Sequence, residues 1–176
     1  MAVFTIIYSV ITLGLLRIAN RQLDNARKEQ RPWIVVHTGR GQPKSGWPEK
    51  SSPVEFLLHV INTGKTPAKN LHAAFFIESV KNGNHPLFNK SSSLAQTGTG
   101  VLYPNIPTDD PVFYTFLQSD WDDLREGGSF VIIYGRASYT DVFQRQHWTD
   151  FCEFTAMVSG GYTSQSCTEY SNTDNN

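Results

Sequence analysis

The chain has 176 residues, 39% of them hydrophobic and 12% aromatic, with 4 Trp, 7 Tyr and 11 Phe. That length holds one domain with an anchor or a tail, and that much large apolar area excludes a disordered middle. A formal net charge of -1 gives no general attraction to nucleic acid, and two cysteines are too few for a disulfide scaffold or a four-ligand zinc site.

From Ala2 to Leu16 the sequence AVFTIIYSVITLGLL carries no charge. Fifteen helical residues span only ~22 Å, short of a hydrocarbon core of about 30 Å. Continuing to Ala19, with Arg17 reaching back to the headgroups, closes most of the gap. The run lacks the basic start and the small-residue cleavage site of a signal peptide, so the reading is a retained helix with the lipid bilayer as partner over Ala2–Ala19. After it, Arg17, Arg21, Arg27, Lys28 and Arg31 outnumber Asp24 and Glu29, which predicts a single-pass protein of the inner (cytoplasmic) membrane with its globular domain in the cytoplasm. Arg17 to Gln30 continues as a helical stalk. Leu16, Leu23 and Gln30 recur every seven residues, a short stripe that can pair two copies as a homo-oligomer. Pro32 ends it.

Beyond Trp33 the pattern turns to strands. Val54, Phe56, Leu58 and Val60 share one face of VEFLLHVIN, and Leu71, Ala73, Phe75 and Ile77 share one face of LHAAFFIES. Val112–Gln118, Ser129–Tyr139 and His147–Val158 are further strands, the last two joined by a hairpin through TDVFQRQ. Pro104, Pro107 and Pro111 confine the Val112 stretch to a loop or an edge. One short helix is predicted, capped by Ser119 with Asp122 and stopped by Gly127. Many strands with one helix predict a mainly β fold, an antiparallel β-sandwich preceded by one transmembrane and stalk helix. The divisions are residues 1–31 for the helix and stalk, 32–158 for the sandwich, and 159–176 for a disordered polar tail.

Gln30-Arg31-Pro32-Trp33, then Asn62-x-Gly64-Lys65-Thr66-Pro67-Ala68-x-Asn70, then Tyr139-x-Asp141-x-Phe143 and His147-x-Thr149-x-Phe151-Cys152 form a set. In these motifs the chain resembles a group of small bacterial membrane proteins of unknown function. The resemblance implies an immunoglobulin-like sandwich behind N-terminal helices, and no activity. Gln144 stands where that group usually has glycine.

Gly64-Lys65-Thr66 lacks the earlier glycine and the following helix of a phosphate-binding loop. It reads as a turn, with Asn62 bonding its own backbone, Gly64 supplying positive φ and Pro67 closing it. Asp141 and Thr149 are expected to tie down the hairpin turn. Catalytic, cofactor and metal residues are therefore none, and His37, His59, His72, His85 and His147 lack metal-ligand spacing. Trp47, in a Gly/Pro-rich loop, and Trp121, on the short helix, are expected to fold back onto the sandwich; if exposed instead, they are the candidate protein-partner contacts. The leading expectation is a non-enzymatic interaction module with an unidentified protein partner and no nucleic acid. Two alternatives stand beside it. One is a thiol or hydrolytic enzyme using His147, Asp141 and Cys152, although His147 and Cys152 are five apart and point to opposite faces of one strand. The other is an exported envelope domain with a Cys152–Cys167 disulfide, where two free thiols are the preferred reading.

Overall fold

A computed structural model describes residues 2–38, 52–88, 95–158 and 161–174. Trp47 lies outside the described residues. Helix α1 runs unbroken from Ala2 to Glu29. It contains no proline, and Arg27 and Lys28 in its last turn complement the negative end of the helix dipole. The stalk thus continues the apolar run as one rod. Among the described residues no helix is long and apolar enough to cross a membrane, so the fold does not carry the transmembrane expectation for Ala2–Ala19. From Tyr8 to Ile18 its large apolar side chains are exposed, Tyr8 by 74% and Leu15 by 62%.

Among the described residues eight strands follow: β1 (Ile34–Thr38), β2 (Val54–Asn62), β3 (Ala68–Lys81), β4 (Ala95–Leu102), β5 (Thr108–Tyr114), β6 (Ser129–Thr140), β7 (Gln146–Val158) and β8 (Gly161–Ser166), with helix α2 (Gln118–Arg125) between β5 and β6. They make two sheets, β1-β2-β5 and β4-β3-β6-β7-β8, antiparallel throughout. The period-two faces predict what is buried. Val54, Phe56, Leu58 and Val60 of β2 pack with Leu71, Ala73, Phe75 and Ile77 of β3 in one core that also takes Val131, Ile133, Ala137 and Tyr139 of β6. Each such Val, Leu, Ile or Phe contributes about 1.5–3 kcal/mol on leaving water, so the layer between the sheets dominates stability. Close packing also constrains Gly135. A Cβ there would lie 2.1 Å from the Ala74 carbonyl oxygen and 2.8 Å from Phe75 Cα.

Several expectations are corrected. Within the tail expected to be disordered, β8 pairs with β7 from Glu153↔Ser166 to Val158↔Gly161. Its polar sequence hid this because the strand is held through backbone hydrogen bonds and a covalent cross-link. Strand β4, AQTGTGVL, is likewise weakly apolar and was not predicted. The N-cap of α2 is Leu117, without a side-chain cap bond, so Ser119 lies inside the helix and caps nothing. Gly127 does end it, at φ 72°. Trp121 is buried at 1% exposure beside Phe116 and Leu124, because the short helix turns its apolar side onto the sandwich. It folds back onto the sandwich as core, and so it is not a partner contact.

Candidate functional site

Where the stalk enters the domain, three distant segments meet. Arg31 and Pro32, just past α1, are both buried. The hairpin from β6 to β7 brings Asp141 and His147 to the same place, and the C-terminal segment brings Asp174. His147 Nε2 lies 3.1 Å from Asp141 Oδ2 and its Nδ1 lies 2.8 Å from Asp174 Oδ2. Arg31 donates to the Asp174 carbonyl at 3.0 Å and to its Oδ1 at 3.4 Å, while its guanidinium stacks 3.6 Å from the Trp33 ring centre. The Tyr139 hydroxyl donates to the Pro32 carbonyl at 3.2 Å. The four ionisable side chains Arg31, Asp141, His147 and Asp174 are all buried.

Asp141 has a second task. Its Oδ1 accepts from the Phe143 amide at 2.8 Å and the Arg145 amide at 2.9 Å, which shapes the turn. Burial alone would raise its carboxyl, but the Arg145 amide, the His147 ring and the Phe143 amide outweigh that and hold it below its ordinary value. Burial pushes the Tyr139 phenol up. A neutral imidazole can donate to only one of the two carboxylates flanking His147. With both ring nitrogens protonated, two cations face two anions.

Asn62 is the second pivot and is completely buried. Its Oδ1 accepts from Trp33 N at 3.1 Å and Gly64 N at 3.0 Å, and its Nδ2 donates to the carbonyls of Thr66 at 2.8 Å and Leu102 at 3.1 Å. One side chain thus spends its full hydrogen-bonding capacity on the entry of β1, the turn after β2 and the end of β4. Gly64 is needed for a different reason from the one expected. It has no positive φ. A Cβ on it would stand 2.4 Å from the Arg31 carbonyl oxygen and 2.5 Å from Trp33 N. Pro67 closes that turn immediately before β3. Thr149 does not serve the hairpin turn. It sits along β7 opposite Ala137 and bridges to Thr173 on its other side. Gln144 keeps the conformation that glycine favours, at φ 66°.

The free-thiol reading of the cysteines is overturned: Cys152 and Cys167 are joined in a disulfide. Cys152 packs on the outer face of the five-stranded sheet with Phe76, Val80, Ile132 and Tyr134, whereas His147 opposes Tyr139, whose side chain enters the inner core. Asp141 and His147 do meet, but Cys152 does not join them, so the thiol constellation is not assembled. The Tyr170 ring lies over the outer cluster, stacked 5.0 Å from Phe88 and edge-on to Tyr134 at 5.5 Å. Among the other histidines, His37 contacts Glu153 at 2.9 Å and His59 contacts Asp109 at 2.7 Å. Among the described residues no group of three or more His, Cys, Asp or Glu could hold a metal ion.

Residues 1–156 match the family model of a domain of unknown function, DUF8453. The chain belongs to that family. No match is found among curated proteins or among solved structures. The DUF8453 match covers every motif that carried the resemblance to bacterial membrane proteins, and these motifs converge in space: Arg31, Trp33, Asn62, Gly64, Tyr139, Asp141 and His147 all stand at the junction of stalk and sandwich. Asp174 carries no signal in the sequence: it lies beyond the DUF8453 match, in a stretch with no periodicity, and only the fold brings it to Arg31 and His147.

Proposed function

We propose that this chain is a membrane-tethered, non-enzymatic interaction module, held at a bilayer by the apolar half of α1. The observation that carries the reading is the exposure of Tyr8, Val10, Ile11, Leu13, Leu15, Leu16 and Ile18 on a helix none of whose described side chains enters the core between the sheets. Such side chains occupy successive faces, and burying them in lipid removes a large apolar area from water. Two packed antiparallel sheets support the immunoglobulin-like framework, and the exposed Phe113 on edge strand β5 and Leu117 at the start of α2 support a protein partner. The positive flank after Leu16 supports a cytoplasmic domain.

A second reading concerns the side of the membrane. Disulfides persist in oxidising compartments, so the Cys152–Cys167 bridge favours an exported envelope domain. Fractionation tests the tether: the full chain should stay with membranes through high-salt and alkaline washes, and deletion of residues 2–16 should release it. Recovery of the intact chain in the aqueous fraction would overturn the proposal. A reporter fused after Asn176 separates the two orientations.

A further inference from the structure

Strand β7 is covered unevenly. On one side β6 pairs with it from Gln146 to Ala156, but on the other β8 reaches only from Glu153 to Val158. The edge from His147 to Cys152 is filled instead by the chain after the disulfide. Asp150 N donates to the Asn172 carbonyl at 2.7 Å, Thr149 bridges antiparallel to Thr173, and Asp174 N donates to the Trp148 carbonyl at 3.2 Å. At the end of this short added strand the Asp174 carboxylate enters the pocket, where it contacts His147 and Arg31 and accepts from Trp148 N at 3.3 Å. Every group that receives the segment lies within the DUF8453 match, residues 1–156, whereas the segment itself lies outside it.

We infer that the half-edge of β7 that β8 leaves uncovered, with Arg31 and His147 at its end, is a docking site for an extended segment of a partner protein that carries an aspartate, and that Asn172–Asp174 occupies it in cis. The chemistry specifies the occupant. Backbone pairing to Trp148 and Asp150 requires an extended peptide. A guanidinium and an imidazole converging in a buried pocket require a carboxylate, and Asp141, fixed by its own turn, orients the ring that receives it. The attached tail competes at an effective concentration on the order of millimolar, so a partner binds strongly only when the tail yields. This deepens the interaction-module reading and rests on it.

The test uses a labelled peptide of residues 168–176 and the full chain, wild type and Asp174→Asn, with binding followed by fluorescence anisotropy. The peptide should bind the folded D174N chain at least about tenfold more tightly than wild type. A peptide whose own aspartate is replaced by asparagine should bind at least about tenfold more weakly. No binding to the folded D174N chain, or equal binding of the two peptides, overturns the inference. Should D174N fail to fold, the isotope-labelled wild-type chain is titrated with excess unlabelled peptide. Tail resonances moving to free-chain positions while the Trp148 and Asp150 amides stay paired supports the site, and an unchanged spectrum at millimolar peptide overturns it. Failure here removes this site and leaves the fractionation result for the tether unaffected.

Discussion

Replacing Asn62 by Asp changes one atom's chemistry and almost no volume. The retained oxygen still accepts from the Trp33 and Gly64 amides, but an oxygen now faces the Thr66 and Leu102 carbonyls where Nδ2 donated at 2.8 and 3.1 Å. Two hydrogen bonds are lost at about 1 kcal/mol each, and two buried carbonyls and a buried carboxylate are left facing one another, at about 1–3 kcal/mol more. The loss at neutral pH is therefore about 4 kcal/mol, a large part of the ~5–15 kcal/mol that holds a domain together. The new carboxyl has its folded pKa raised above the unfolded value of about 3.9, so protonation favours the folded state. Its stabilising contribution is present below the unfolded value and is lost as pH rises through the folded one. Urea unfolding followed by tryptophan fluorescence at roughly pH 7.5 and roughly pH 4.5 reads the difference between variant and wild type. That difference should narrow by about half in acid, as the protonated oxygen donates to one carbonyl again. A variant within 1 kcal/mol of wild type at neutral pH, or a gap equal at both pH values, refutes the reasoning.

Other perturbations have equally definite signs. Gly135→Ala forces a methyl against the Ala74 carbonyl and Phe75 Cα, both backbone, and should cost about 3 kcal/mol, seen as a melting point lower by about 6–12 °C. Gln144→Gly should raise stability by about 0.5–1 kcal/mol in the same assay, because relief of the left-handed conformation exceeds the extra entropy of glycine in the unfolded chain. Reducing Cys152–Cys167, whose partners are 15 apart in sequence, should cost about 3 kcal/mol in urea unfolding with and without dithiothreitol. The depressed Asp141 carboxyl contributes stability that is present above its unfolded value and lost as pH falls through its folded one, so the gap between wild type and Asp141→Asn should shrink in acid titrations followed by circular dichroism.

The two-residue rhythm of β2 and β3 was readable because both faces of a sandwich differ in wetness, and Val54 to Val60 and Leu71 to Ile77 went inward as their spacing required. The proximity of Asp141 and His147 was readable too, since a hairpin through TDVFQRQ brings its two ends together. What failed had no apolar pattern to carry it. Strands β4 and β8 are rich in Thr, Ser, Gln and Gly and join the sheet by backbone pairing. For Trp121 the short helix left two readings, fold-back or exposure, and only the packed structure decides for burial. The disulfide and Asp174 depend on contacts between segments that only the folded chain brings together.

Arg31 follows the last residue of α1 by only two positions, and its side chain is locked in the domain against Trp33 and Asp174. Farther up, Arg145 reaches Asp24 at 3.4 Å and Arg27 lies over the Phe143 ring. These contacts tie the last turns of the rod to the body. Whatever surface grips the far end of the helix therefore also fixes the compass bearing of the sandwich, and two copies sharing a stalk would face the world in a set relation rather than swinging freely.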